Sequence, residues 1–112
     1  MITIYHNPRC SKSRACLQLL EERGLNFSII DYMKQSLSAE QLRIFVDNLG
    51  IKVLVRSEEA VFKDLNLAQA DESTVLQAIQ KHPQLLQRPI VISGTKMLVA
   101  RPPESVLELI NE

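Results

Sequence analysis

Short apolar runs alternate with amphipathic stretches along this chain. Ile2-Thr3-Ile4-Tyr5 has the length and β-branched content of a buried strand. The period then changes: Ala15, Cys16, Leu19 and Leu20 form one helical face, predicting a helix from just after Cys10 to Arg23, with Gly24 as its stop. Phe27 to Asp31 reads as a second strand, so the opening is strand, helix, strand, the pattern of a right-handed parallel crossover. Ser38 and Gln41 stand at capping-box spacing, with Leu37 and Leu42 as a hydrophobic staple. Leu42, Phe45, Val46 and Leu49 make the helical face that follows, and Gly50 ends it. Ile51 to Val55 is apolar and β-branched, and reads as an extended linker or a short strand. Ser57 is placed to cap a short helix through Phe62, and Asp71 to cap a longer one carrying Val75, Leu76 and Ile79. Pro83 stops that helix or begins a further turn. Ile90-Val91-Ile92, a turn at Ser93-Gly94-Thr95, and Lys96 to Ala100 read as a hairpin. Pro102-Pro103 then open a last helix with Val106, Leu107 and Ile110 inward.

The order β-α-β, helices, β-β-α is the thioredoxin arrangement, an α/β fold, with a helical insertion at about residues 38–87 between its halves. At 112 residues the expectation is a single domain spanning 1–112. The formal net charge is zero, so nothing global points to nucleic acid or an anionic membrane, and an anion site has to be a local cluster. No apolar stretch is long enough to span a bilayer. The N-terminus has no charged lead followed by a long apolar region, so no secretory signal is read and a cytoplasmic setting is expected. In a reducing compartment, two cysteines six residues apart near the first helix suggest a reactive thiol rather than a disulfide.

The chemistry gathers at His6-Asn7-Pro8-Arg9-Cys10-Ser11-Lys12-Ser13-Arg14. Cys10 sits where a strand hands over to the first turn of a helix. Amide N–H groups there lack intrahelical partners, and the helix dipole adds positive potential. A thiolate is stabilised in such a place, so the thiol pKa should fall from about 8.5 toward roughly 3.5–7.5. Arg9, Lys12 and Arg14 act in the same direction, and the features that favour a thiolate also favour an incoming oxyanion. Cys16 alternates with leucines and lies about 9 Å further along the helix axis, so it reads as core. Ser13 occupies the second position of a C-x-x-C pattern, so no internal disulfide can close there and an outside thiol has to regenerate Cys10. Ser11 and Ser13 either donate to the thiolate or satisfy the helix N-terminus. His6 either tunes Cys10 or merely ends the strand. Asn7 is suited to fix the loop through side-chain to backbone bonds. The ligand spacing for zinc is missing among His6, Cys10, Cys16 and His82, so no metal is expected.

Three later arginines stand at element boundaries: Arg56 after Val53-Leu54-Val55, Arg88 before Pro89, and Arg101 before Pro102. In a thioredoxin-like fold the loop before the third strand lies beside the active cysteine, and a proline there is characteristically cis. On that argument Arg88 and Pro89 border Cys10. Guanidinium groups suit tetrahedral oxyanions because each can bind two oxygens.

These motifs resemble the glutaredoxin-coupled arsenate reductases. His6 through Arg14 matches the His-Asn-Pro-x-Cys-x-x-Ser-Arg pattern of that family. Leu54-Val55-Arg56, Arg88-Pro89-Ile90-Val91 and Arg101-Pro102 match its later elements. The likeness covers nearly the whole chain and is to the short branch, in which the chain ends soon after the last helix. It implies that Cys10 attacks an arsenate-like oxyanion held by Arg56, Arg88 and Arg101, with His6, Ser13 and Arg14 supporting the thiolate. It also implies that the adduct is reduced by glutathione as co-substrate, with glutaredoxin as partner and no bound cofactor. Two other readings stay open on sequence alone. The Spx-type regulators, which bind RNA polymerase and sense oxidation, share the fold but characteristically carry C-x-x-C. A thiol oxidoreductase with another substrate would give no reason for the three arginines.

Overall fold

Alternation sets the first strand. Ile2 and Ile4 share one side and are buried, which is what drives this short segment into the middle of a sheet. A computed structural model describes residues 2–110, and of Ile110 the backbone only. Its elements, in chain order, are β1 (Ile2–His6), α1 (Ser11–Glu22), β2 (Phe27–Asp31), α2 (Ala39–Leu49), α3 (Ile51–Leu54), α4 (Ala60–Asp64), α5 (Glu72–Lys81), β3 (Ile90–Ser93), β4 (Lys96–Val99) and α6 (Leu107–Ile110). Short 3-10 turns lie at Leu67–Gln69, Pro83–Leu85 and Pro103–Val106. Two compact units result: residues 1–35 with 88–112, and residues 36–87.

The first unit holds the sheet, in the order β2-β1-β3-β4. β1 pairs parallel with β2 and antiparallel with β3, and β3 pairs antiparallel with β4. Ile4 sits in register between Ile29 and Val91. The β-α-β half and the β-β-α half make this a thioredoxin-like α/β fold. One apolar cluster joins Ile2, Ile4 and Val91 of the sheet to Cys16 and Leu20 of α1 and to Val106 and Leu109 of the last segment. Burying each such aliphatic side chain contributes roughly 1.5–3 kcal/mol. α1 stops as its sequence suggests: Gly24 has φ +65°, its N–H donates to the Glu21 carbonyl, and the Leu25 N–H reaches back to Leu20. That is the Schellman arrangement, which needs the left-handed conformation glycine adopts freely.

The second unit is helical. Ser38 Oγ accepts from the Gln41 N–H and opens α2, which buries Leu42, Phe45 and Val46. Asp71 Oδ1 accepts from the Thr74 N–H at 2.8 Å and opens α5, which buries Val75, Leu76 and Ile79. α2 packs against α5, and the Arg43–Glu72 ion pair spans their exposed sides.

Several local readings need correction. Residues 51–54 are a helical turn, neither linker nor strand: after Gly50 the i to i−4 ladder resumes, with the Leu54 N–H on Gly50 and the Val55 N–H on Ile51. Only Val55 pairs in a β-bridge, with Leu86. Ser57 caps nothing. α4 starts after Glu59, because Arg56 to Glu59 form a turn held by the Glu59 N–H on the Arg56 carbonyl. Pro102 lies outside the last helical segment, which opens as a 3-10 turn at Pro103 before α6. Leu109, not read as inward from the sequence, is buried beside Val106, and the Ile110 side chain lies outside the described residues.

At Gly24 an added Cβ would meet no atom within 4 Å, so a substitution there carries backbone strain alone. Gly24→Ala should lower the urea-unfolding free energy by about 1–2 kcal/mol, and Gly24→Asn by less, because asparagine tolerates the left-handed region better. An unchanged midpoint for Gly24→Ala would contradict this account of the helix stop.

Candidate active site

The Asn7 to Cys10 loop is built by its own polar groups. Asn7 Oδ1 accepts from the Arg9 N–H at 3.0 Å, and the Asn7 carbonyl accepts from the Cys10 N–H at 3.0 Å. Ser13 is fully buried, and its Oγ accepts from the Asn7 N–H at 3.4 Å. Arg14 Nη1 donates to the Pro8 carbonyl at 2.9 Å. Ser13 and Arg14, both in the first turn of α1, therefore hold the loop from the helix side. Ser11 is exposed.

Cys10 is the N-cap residue of α1, with extended backbone at φ −93° and ψ 123°, and its residue is 9% exposed. Burial pushes its thiol pKa up. The Ser13 N–H, the Arg88 side chain and the Lys12 N–H outweigh that and bring it down to about 7. The side chain makes no conventional capping bond. The stabilisation is of the sulfur's charge. Near neutrality Cys10 is therefore partly ionised. Cys16 is the opposite case: fully buried in the apolar cluster, its thiol is pushed up to about 12 by burial, and it has no nucleophilic role.

Arg88 reaches Cys10 from the start of β3. The Arg88–Pro89 peptide bond is cis, as the position leads one to expect; Arg101–Pro102 is cis as well, which nothing in the sequence indicated. Arg101 is exposed, and its Nη1 donates to the Arg88 carbonyl at 3.1 Å. The buried Arg88 Nε has no hydrogen-bond partner. His6, at the end of β1, is buried, and its Nδ1 has no partner. Burial lowers the His6 pKa, with Asp31 opposing and Arg14 assisting, so the imidazole is neutral near pH 7.

The first unit thus brings together Cys10, Ser13, Arg14, Asn7, Arg88, Pro89 and Arg101. Arg56 belongs to the second unit. Its side chain is 13% exposed and ion-paired with Glu58 at 3.1 Å and Glu59 at 3.7 Å, and its N–H donates to the Leu85 carbonyl at 2.7 Å. Among the described residues no three His, Cys, Asp or Glu side chains cluster as a metal site. Asp31, which faces His6 in the strand register and acts on its charge, was passed over from sequence; its place at the end of a strand parallel to the one ending in His6 is the signal that finds it. Chemically, the arrangement offers a nucleophilic sulfur next to an open guanidinium donor, which suits attack on an anion.

Because the Cys10 pKa is lowered on folding, its contribution to stability is complete above the ordinary thiol value and is lost as pH falls through about 7. Iodoacetamide should alkylate Cys10 at a rate that rises with a midpoint near pH 7 and leave Cys16 untouched. Arg88→Ala should move that midpoint upward. Mass spectrometry of the labelled peptides across pH 5–10 reads both, and a wild-type midpoint at the free-thiol value would refute the thiolate assignment.

Comparisons with known proteins place these features. Residues 5–109 match the ArsC family. The uncharacterized protein YfgD of Escherichia coli is 41% identical, over 98% of this chain and 97% of that protein. An arsenate reductase of Haemophilus influenzae is 40% identical, over 97% and 98%. The solved arsenate reductase from Vibrio cholerae superimposes with a TM-score of 0.91 at 40% identity, over 96% and 95% of the two chains. A match over nearly the whole chain, joined to a cysteine at a helix start and a cis-proline before β3, carries one conclusion: the chain belongs to the ArsC family.

Proposed function

We propose that this protein is an arsenate reductase that takes its electrons from external glutathione. The observation that carries the reading is the Cys10 sulfur, held between the first amides of α1 and the Arg88 side chain at a pKa of about 7. The names of the Haemophilus influenzae and Vibrio cholerae relatives support arsenate as the oxyanion.

In the first step the Cys10 thiolate attacks arsenic(V). A sulfur–arsenic bond forms, and one arsenate oxygen leaves as water after protonation. Arg88 and Arg101 hold the remaining oxygens. His6 and Ser13 keep the loop in shape for this step, and Arg14 ties the loop to the helix. A glutathione thiolate then attacks Cys10 Sγ. The sulfur–arsenic bond breaks with its electron pair on arsenic, which leaves as arsenite. Cys10 remains as a mixed disulfide with glutathione. A second thiol, delivered through glutaredoxin, attacks the glutathionyl sulfur and releases the Cys10 thiolate. Two thiols are oxidised to one disulfide as arsenic(V) becomes arsenic(III). Ser13 at the C-x-x-C position supports the need for outside thiols. The glutathione-rich cytoplasm is the setting this chemistry requires, and no bound cofactor takes part.

Turnover of arsenate with glutathione and glutaredoxin should be measurable for the wild type and absent for Cys10→Ser. Arg88→Ala should lower it by about 10²–10³, the usual cost of one preorganised donor to a developing oxyanion. Arsenate should also protect Cys10 from alkylation. Wild-type protein that is neither protected nor turned over would overturn the reading.

A further inference from the structure

Parallel strands β1 and β2 end side by side at His6 and Asp31, which are register partners. In open α/β sheets, ligands bind in crevices beyond the carboxyl ends of the strands. A cavity of about 260 Å³ lies at this end of the first unit, lined by Asn7, Pro8, Arg9, Asp31, Met33 and Lys34. Its charges are two cations, Arg9 and Lys34, and one carboxylate, Asp31. Among the described residues neither Arg9 nor Lys34 forms an ion pair. Asp31 Oδ1 accepts from the Met33 N–H at 3.1 Å, which fixes the carboxylate in the wall. Pro8 and Met33, the latter 42% exposed, supply apolar surface. The Asn7-Pro8-Arg9 wall is the same loop that ends at Cys10.

We propose that this cavity docks the reducing thiol, a γ-glutamyl tripeptide with two carboxylates and one ammonium. The inference rests on the reading above that an outside thiol reduces the Cys10 adduct. The charges complement each other: Arg9 and Lys34 face the two carboxylates, and Asp31 faces the ammonium. Three extended residues span up to about 10 Å, enough to cover the cavity and present the central cysteine at the adjoining loop. Exposed ion contacts are individually weak, so the affinity expected is on the order of 1 mM.

S-methylglutathione, which cannot exchange disulfides, is the probe, titrated into reduced wild-type protein and followed by amide chemical shifts. Saturable shifts should appear at Asn7, Arg9 and residues 31–34. The Kd should rise about ten-fold in Lys34→Glu, where an attraction becomes a repulsion. It should rise also in Asp31→Asn, which keeps an acceptor for the Met33 N–H but loses the charge. Absent or misplaced shifts overturn the proposal, as does a wild-type Kd in both variants or the same shifts from inorganic phosphate at equal concentration. Arsenate protection of Cys10 from alkylation, read on the same wild-type preparation, separates the two readings. Protection without S-methylglutathione binding removes this subsite and leaves the oxyanion chemistry standing. Binding without protection does the reverse.

Discussion

The stabilisation of one sulfur anion at the start of α1 is what the rest of this site depends on. Burial alone would make Cys10 a poorer acid than a free thiol. Backbone amides from Ser13 and Lys12 reverse that, and the Arg88 guanidinium adds to it. The two amides are fixed by the helix itself, so their cost is met in folding, not at the moment of reaction. The contrast with Cys16 is instructive. Both cysteines are buried and lie within one helical stretch, yet burial without donors drives the second far the other way. Position relative to the helix end, not residue type, decides the chemistry.

The scaffold serves this arrangement in two ways. The central position of β1, flanked by β2 and β3, fixes the point from which the loop departs. The loop then closes on α1 through Ser13 and Arg14, so the sulfur is tied to the helix from both ends. β3 brings Arg88 in from a distant part of the chain, and Arg101, after β4, holds the Arg88 carbonyl. The hairpin thus couples its two boundary arginines to each other before any ligand is considered.

Much of this was legible in the sequence because local signals agreed with the fold. Period-2 and period-3.6 patterns, the caps at Ser38 and Asp71, and the Gly24 stop all report on neighbours a few residues away. The readings that failed were those where local backbone hydrogen bonding overrode propensity. Ile51 to Val55 reads as linker or short strand by composition, but Gly50 restarts a helical ladder there, leaving only Val55 to pair with Leu86. Ser57 has the chemistry of a cap but lies inside a turn that ends at Glu59. At the site, Cys10 and Arg88 were legible because their motifs are specific. The Arg101 bond to the Arg88 carbonyl and the Asp31 influence on His6 were not, since both depend on strand register rather than on spacing along the chain.

Ser13 has a consequence beyond geometry. With its hydroxyl committed to the Asn7 amide and no thiol in its place, the domain has no dithiol couple in its first turn, and so no reduction potential of its own to defend there. An oxidised Cys10 would find no resolving sulfur beside it in that turn.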